Sequence, residues 1–379
     1  MILTKCVKNN LYTLSGFLLM EMLSCESIRM KRAIKNNGET KKLPRNLKYF
    51  IDKELSISTI ETALLKTQKE TCFRFMRTSE IVNDGKTIEF YKGSYSIYSI
   101  YQNGSYISRK LFISKDDIKS SGGVQSVLAS FLEMMNQISR HDRNKYVKLH
   151  YENMKEDELI TFDPLSKKKY PTHGVGYDFG SLLHFPSNYN SKNKKNTIEA
   201  HKPYYNMMMG QRDEFSFNDY KLINRHYCSK ICKSKLVCHN SAYQDINNCG
   251  VCKCPNGYKG KYCQDIESSD PKCGQTQLQA YKKVHYLKFK GKNTCTYLIT
   301  APKNRKVKLN IILVKTMDKK ICTPKSGLEV KYRKDKGAAG LNLCGTYKNI
   351  ELKSKSRTVL IQYNGKRDDN QFLISYKKL

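Results

Sequence analysis

The distribution of the cysteines constrains the fold of this chain more than any other feature. Eleven of the 14 cysteines fall within residues 228–344 of the 379-residue chain, and the other three are Cys6, Cys25 and Cys72. Cysteines at dense, short spacings are typical of small modules held by disulfide bonds, which persist in oxidising compartments. The sequence therefore predicts a secreted, extracellular protein whose C-terminal part is cross-linked.

Six of these cysteines form a short unit of their own. The gaps between Cys232 and Cys263 are 5, 10, 2, 1 and 8 residues, and the unit ends in CPNGYKGKYC. This pattern resembles an EGF-like module, which we place at residues 229–264. A segment of this size buries too little apolar surface to fold without cross-links. The resemblance implies the pairs Cys232–Cys249, Cys238–Cys252 and Cys254–Cys263.

Residues 273–379 carry a different pattern, that of short alternating strands. Runs such as HYLKFK, KVKLNIILV and TVLIQYN recur at regular intervals, and this predicts a β-sandwich. The order of the four cysteines resembles that of a CUB domain, and it implies the pairs Cys273–Cys295 and Cys322–Cys344. Some CUB domains bind calcium through acidic residues in loops, but we match no such residues here, so calcium is not among our predictions.

The N-terminus carries weaker signals. Lys5 and Lys8 precede an apolar run, residues 11–24, which predicts a signal peptide over residues 1–25. A membrane anchor is the alternative, but the run is shorter than the ~20 residues that a helical span requires. The tetrapeptide RMKR ends at Arg32 and resembles a dibasic processing site. Cleavage there leaves a pro-segment of residues 26–32 and Ala33 as the first mature residue, whereas an ordinary basic patch is the alternative.

Residues 33–228 mix helix and strand signals. A capping box at Ser58 predicts the start of a helix that buries Ile60, Leu64 and Thr67 on one face. Residues 95–114 predict a β-hairpin that turns at Asn103-Gly104, and Asn103 also begins a glycosylation sequon. A long apolar helix is predicted in the following stretch, GGVQSVLASFLEMMNQI.

Six stretches of this region occur in the order found in the astacin metalloproteases. Among them are SRHDRNKYVKLHYENM, GVGYDFGSLLHF and MMGQRDEFSFNDYKLINRHYC. Residues 33–228 thus resemble the astacin (metzincin) catalytic domain, and the order of the three units resembles that of nematode-type astacins. The resemblance implies an α+β fold: an astacin-like domain, then an EGF-like module and a CUB β-sandwich. It also implies a Cys72–Cys228 disulfide, with Cys232 as a rival partner of Cys72.

The resemblance also provides a register for the active-site helix. Family members carry HExxHxxGxxHE directly before SRxDR, where three imidazoles bind zinc and the glutamate accepts a proton from the zinc-bound water. Counting back from Ser139 places Ser126, Ser130 and Asn136 at the three ligand positions and Val127 at the general-base position. No two of the eight histidines lie four residues apart, so no shift of the alignment restores the motif.

Other positions agree with this reading of the helix. Glu133 stands where the family has glycine, Leu183 and Phe185 replace the methionine and tyrosine near the zinc, and Gln137 replaces the glutamate that receives the mature N-terminus. We therefore predict that no catalytic residue and no metal ligand is retained. We also predict no cofactor, although zinc is the cofactor of the family.

The charge bears on partners. Lys and Arg outnumber Asp and Glu by 68 to 34. This excess of positive charge either forms a solvated basic surface or attracts acidic glycans. No nucleic-acid-binding signature accompanies the charge. The sequence predicts an inactive homologue, a pseudoprotease that binds extracellular proteins or acidic glycans. One alternative is an active zinc metalloendopeptidase with an atypical site, and another is an EGF/CUB adhesion protein with a passenger astacin domain.

Overall fold

The computed structural model describes residues 2–7, 24–29, 43–82, 84, 86–103, 106–156, 159 and 162–379, with only the backbone described at 2–7, 24–29, 101–103 and 106–107. Arg32, Ala33 and nearly all of the apolar run of the predicted signal peptide lie outside the described residues. The predictions of cleavage and processing therefore stay predictions.

The N-terminal part of the chain builds a seven-stranded mixed sheet. Its strands are β1 Ile2–Val7, β2 Ser24–Arg29, β3 Asn46–Ile51, β4 Arg74–Arg77, β5 Ile88–Lys92, β6 Ile97–Asn103 and β7 Tyr106–Ile113. They lie in the order β2-β1-β6-β7-β5-β3-β4 across the sheet. The predicted hairpin is confirmed, since β6 and β7 pair in antiparallel register from Ile97–Phe112 to Asn103–Tyr106. The rest of the sequon, at residues 104 and 105, lies outside the described residues.

The first helix, α1, spans Ile57–Glu70 and buries the predicted face of Ile60, Leu64 and Thr67. The predicted cap is wrong, because the N-cap is Ser56 and its side chain makes no capping hydrogen bond. The Ser56 hydroxyl contacts Thr59 Oγ1 at 3.1 Å instead. Two serines at nearly adjacent positions offer the same local signal, and packing of the apolar face decides which of them precedes the helix.

The second helix, α2, spans Ser121–Phe131 and is fully buried from its second residue onward. Ser120 caps it by accepting a 3.0 Å hydrogen bond from the Gly123 amide. The helix is shorter than predicted, since the apolar stretch continues to Ile138. It ends because Glu133 adopts a left-handed φ of 51°, a conformation that interrupts a right-handed helix.

The remainder of this part of the chain is mostly irregular. It contains the antiparallel pair β8 Val147–Leu149 and β9 Ile198–Ala200 and the closing helix α3 Phe217–Tyr227, which begins in a reciprocal capping box between Ser216 and Asp219. Short 3₁₀ helices lie at Asp117–Lys119, Gln137–Ser139, Arg143–Lys145, Tyr151–Asn153 and Pro203–Met208. A disulfide between Cys72 and Cys228 joins the end of α1 to the end of α3.

A small cross-linked unit follows. It has four two-residue strands, β10 Tyr243–Gln244, β11 Cys252–Lys253, β12 Tyr258–Lys259 and β13 Asp265–Ile266. Three disulfides hold it, Cys232–Cys249, Cys238–Cys252 and Cys254–Cys263. Its buried residues form a cluster with Leu360 of the last unit.

The last unit is a β-sandwich. A 3₁₀ helix, Pro271–Cys273, leads into strands β14 Gln277–Gln279, β15 His285–Lys290, β16 Asn293–Thr300, β17 Val307–Lys315, β18 Gly327–Lys331, β19 Leu341–Leu343, β20 Thr346–Lys353, β21 Thr358–Gly365 and β22 Gln371–Lys378. One sheet has the order β14-β16-β21-β18-β19 and the other β15-β22-β17-β20. Disulfides join Cys273 to Cys295 and Cys322 to Cys344.

The sandwich and the first unit share one hydrophobic core. A single cluster of buried residues runs from Ile138 and Tyr177 of the first unit to Tyr297 and Ile374 of the sandwich. Polar contacts cross the same junction, for the Ala339 amide donates to Asp178 Oδ1 at 3.1 Å. The two units therefore pack as parts of one interior, whereas independent domains would meet at a thin, polar interface.

In the described part of the chain, no helix is both long and apolar enough to cross a membrane.

Candidate active-site cleft

A cavity of about 630 Å³ opens between the sheet and the loops that follow α2. Ser126 of α2 and Asn136 line it from one side, and Leu183, His184 and Phe185 line it from another. Two of the three predicted ligand positions therefore face one space together with Leu183 and Phe185, the positions predicted to replace the family's methionine and tyrosine (the Met-turn positions). This arrangement is that of an active-site cleft, and the residues in it decide what chemistry is available.

Ser126 does not present a free hydroxyl to this cleft. Its side chain is only 6% exposed, and its hydroxyl donates a 2.7 Å hydrogen bond to the Gly123 carbonyl oxygen one turn back along α2. Ser130 lies one turn further along the same face and is fully buried. Both serines therefore belong to the packing of the helix.

Val127, at the predicted general-base position, is 0% exposed and packs in the core between the sheet and the helices. An isopropyl group can neither accept a proton nor polarise a water molecule. The residue that would perform proton transfer in a metallopeptidase of this register is thus replaced by an apolar core residue.

Asn136 and Gln137 follow the left-handed turn at Glu133. Asn136 is 4% exposed and precedes the 3₁₀ helix Gln137–Ser139. The Gln137 Oε1 atom accepts a 3.2 Å hydrogen bond from the Asp178 amide. This hydrogen bond ties the Gln137 side chain to the loop that carries Leu183 and Phe185. Gln137 therefore has a structural partner.

The loop opposite α2 holds a buried histidine. His184 Nδ1 lies 2.8 Å from the Phe185 carbonyl oxygen, and because that oxygen can only accept, Nδ1 carries the proton. Nε2 then accepts from the Tyr177 hydroxyl at 2.8 Å. Burial lowers the pKa of His184 to about 4, so the ring is neutral with both nitrogens engaged.

The neighbouring positions are apolar. Leu183 is buried in the same core as Val127, and Phe185 stacks on Tyr189 with ring centroids 3.8 Å apart. Phe185 has no hydroxyl that could contact a metal or a reacting carbonyl. The cleft wall at this point is an aromatic surface suited to contact with apolar groups.

The cleft carboxylates have other partners. Asp117 Oδ2 accepts a 2.6 Å hydrogen bond from Ser96, which connects the hairpin to the segment before α2. Asp116 pairs with exposed Lys119 at 2.8 Å. No sequence motif marks these residues as part of the cleft, because the fold alone brings their segment next to α2 and the loop of His184.

These observations define a metzincin-type cleft on an α+β domain, followed by a cross-linked unit and a β-sandwich. The sequence profile of the Astacin peptidase family matches residues 35–228, just over half of the chain. The chain belongs to the astacin family.

Curated relatives agree with this assignment. The chain is 29% identical over 327 residues to zinc metalloproteinase nas-34 of Caenorhabditis elegans, covering 84% of this chain and 52% of the relative. It is 31% identical over 314 residues to zinc metalloproteinase nas-30 of the same organism, covering 82% of this chain and 41% of that one. The chain thus spans about half or less of the length of these two relatives.

A solved structure is also similar. The medaka (Oryzias latipes) hatching enzyme zinc-protease HCE-1 is 24% identical and aligns with a TM-score of 0.42, over 48% of this chain and 88% of that one.

One prediction is wrong in the light of these relatives. The sequence predicted no cofactor, but the relatives are named as zinc metalloproteinases, so family membership makes zinc the implied cofactor. In the register predicted from the sequence, two serine hydroxyls and one carboxamide stand at the ligand positions, and these groups fit zinc poorly because it prefers imidazole nitrogen. Among the described residues, no group of three or more His, Cys, Asp or Glu side chains is placed to hold a metal ion.

Proposed function

We propose that this chain is a secreted pseudoprotease of the astacin family, which binds extracellular proteins or glycans instead of hydrolysing peptides. The observation that carries the proposal is Val127. Helix α2 ends before the left-handed Glu133, and the predicted general-base position holds a fully buried aliphatic side chain. Peptide hydrolysis without a base to activate water loses a contribution of roughly 10²–10⁴ in rate.

An active metalloendopeptidase with an atypical site is the first alternative. It would need another carboxylate to replace Val127. The cleft carboxylates do not fill this role, since Asp117 receives the Ser96 hydroxyl and Asp116 is held by Lys119 at the exposed rim. The names of the relatives support this alternative, whereas the buried Val127 opposes it.

An adhesion protein with a passenger astacin domain is the second alternative. The shared core opposes it, because the sandwich buries residues of the first unit in its own interior. A passenger domain would contribute little to the stability of its neighbour. We infer instead that the first unit is part of the binding scaffold.

The proposal extends to the organisation of the chain. We propose residues 1–25 as signal peptide, 26–32 as pro-segment, 33–228 as the astacin-like domain, 229–264 as an EGF-like module and 273–379 as a CUB domain. The three local disulfides of the small unit and the two-sheet sandwich support the last two assignments. Six disulfides among the described cysteines favour an extracellular location, and Asn103 is the proposed glycan acceptor.

A hydrolysis assay tests the proposal. Purified full-length chain, supplied with zinc, is incubated with azocasein in the presence and absence of a chelator, next to an active astacin as the positive control. We expect no chelator-sensitive release of dye from this chain. Cleavage that the chelator abolishes would refute the proposed loss of activity.

A further inference from the structure

A second cavity, of about 710 Å³, lies at the junction of the astacin-like domain and the sandwich, on a face separate from the cleft. We call it the junction cavity. Its volume falls within the ~300–1,000 Å³ range of small-molecule sites. Residues 145, 146, 176, 179, 201, 202 and 205 line it from the astacin-like domain, and residues 332–335, 351, 353 and 355 line it from the sandwich.

The charge around the junction cavity is strongly positive. Six lysine and arginine side chains line it: Lys145, Lys202, Arg333, Lys334, Lys353 and Lys355. The two acidic residues in the lining have partners of their own. Asp335 Oδ2 accepts from the Gly176 amide at 2.9 Å, and Glu351 lies 3.3 Å from Lys308. The cations therefore lack matching anions within the cavity.

Arg333 is the central cation of this group. Its Nη1 atom is buried and has no hydrogen-bond partner, although a buried donor without a partner costs ~1–3 kcal/mol. Its guanidinium lies 5.1 Å from the centroid of Tyr146. No carboxylate in the described part of the chain is within ion-pair distance of it, and the charge of Asp178 acts on it from further away. A bound oxyanion in the cavity would neutralise this uncompensated guanidinium, and a guanidinium suits that partner well.

The lysines repel one another across the same space. The Lys202 ammonium lies 5.4 Å from the centroid of Tyr332. Burial, and then the charge of Lys355, lower the pKa of Lys202. An anion between these two lysines would relieve that repulsion.

Aromatic rings form the rest of the lining. Phe179 and Tyr205 stack with centroids 4.3 Å apart, and the Tyr205 hydroxyl donates to the Tyr332 hydroxyl at 3.1 Å. These three rings are at most 4% exposed, so they form a packed aromatic floor, and the partly exposed Tyr146 is the ring of the lining with surface open to a sugar. The cavity is also far larger than a single inorganic anion would fill.

We propose that the junction cavity binds a sulfated sugar, with Arg333, Lys202 and Lys355 contacting sulfate groups and Tyr146 contacting the pyranose above the aromatic floor. The inference deepens the proposed binding function and rests on it. The proposal assigns sugar binding to the cations of one cavity. It does not require the basic surface of the whole chain to bind sugar.

The test uses the full chain and isothermal titration calorimetry at about 0.15 M salt, where exposed charges are largely screened beyond ~8 Å. The probes are a heparin-derived sulfated tetrasaccharide, the same tetrasaccharide after desulfation, and inorganic sulfate. We expect the sulfated tetrasaccharide to bind at one site and the other two probes to bind at least ~10-fold more weakly. No binding of the sulfated tetrasaccharide, or equal binding of inorganic sulfate, would overturn the sugar assignment.

Matched variants locate the site. Arg333→Gln tests the buried guanidinium but changes a packed residue, so the Lys202→Gln/Lys355→Gln variant, at two exposed positions, provides an independent measurement. We expect the lysine pair to weaken tetrasaccharide binding at least ~10-fold. The control Lys282→Gln/Lys283→Gln removes the same charge from exposed positions outside the cavity lining and should change affinity less than ~3-fold. Equal losses in both pairs would show a diffuse basic surface and reject the cavity. Either result is independent of the azocasein assay, which decides the loss of hydrolysis alone.

Discussion

The Tyr177 hydroxyl donates a 2.8 Å hydrogen bond to Nε2 of His184, so this nitrogen of the cleft-wall histidine is bonded inside its own domain. The folded protein holds this ring neutral, with a pKa of about 4 against an ordinary value of 6.5. The unfolded chain has no such constraint.

Because the pKa of His184 is lower in the folded protein than in the unfolded chain, the folded protein loses stability as the pH falls. Between pH 6.5 and 4 the unfolded chain binds a proton at His184 that the folded chain does not bind, so this contribution to stability falls as the pH falls, by about 1.4 kcal/mol per unit. From pH 7 to pH 5, the wild type should lose about 2 kcal/mol more than His184→Gln in urea denaturation. Parallel losses in the two proteins would contradict the buried neutral ring.

Glu133 allows a test of the turn that ends α2. Its φ of 51° is a conformation that glycine adopts freely. We expect Glu133→Gly to be more stable than Glu133→Ala by about 1 kcal/mol, because both variants remove the carboxylate and only alanine keeps the left-handed strain. Thermal and urea unfolding of the pair measure the difference. Equal stabilities of the two variants would show that the backbone at Glu133 is not strained.

The predicted alignment of α2 and the following turn with the family's zinc-binding motif can be tested by placing imidazoles at the three ligand positions. The Ser126→His/Ser130→His/Asn136→His variant should bind zinc at least about 100-fold more tightly than the parent chain, because three convergent imidazoles supply most of the affinity of such a site. Competition with a chromophoric chelator gives both constants. Ser126→His/Ser130→His, which lacks the third ligand, should fall between them, and a triple variant no tighter than the parent would reject the register.

The shared core predicts cooperative behaviour. Tyr332 of the sandwich is 3% exposed and contacts Tyr205 of the astacin-like domain. Tyr332→Ala should destabilise the chain by roughly 3–5 kcal/mol and raise amide exchange in α2 and β21 together, as measured by hydrogen exchange and mass spectrometry. Tyr286→Ala, at a site 66% exposed on the same sandwich, should stay within about 0.5 kcal/mol. Faster exchange confined to the sandwich would argue for two independent units.

Local sequence signals predicted a large part of this fold. The buried face of α1 and the β6–β7 hairpin follow from periodicity and turn chemistry, which act over a few residues. The Ser58 cap was wrong because two nearby serines carry the same signal. The end of α2 was also misplaced, since the apolar stretch continues past the turn and no local signal marks the left-handed Glu133.

The candidate sites divide in the same way. Ser126, Val127 and Asn136 could be named because a flanking motif fixes their register, and the fold brings Ser126 and Asn136 to one cleft. The junction cavity could not be predicted, because Lys202 and Arg333 lie in units whose packing no local pattern specifies. In the sequence the run KYRKDK is indistinguishable from the other basic runs, and only the tertiary structure gives Arg333 a buried, unpartnered nitrogen.

The interior shared by Tyr177, Tyr205 and Tyr297 has a consequence for how such a chain can change over generations. Once catalysis is lost, selection no longer preserves the cleft, and its residues are free to drift. The residues behind the cleft are constrained, because a substitution there also destabilises the sandwich. If catalysis is lost as proposed, such a chain would vary at its cleft while the scaffold behind the cleft stays fixed.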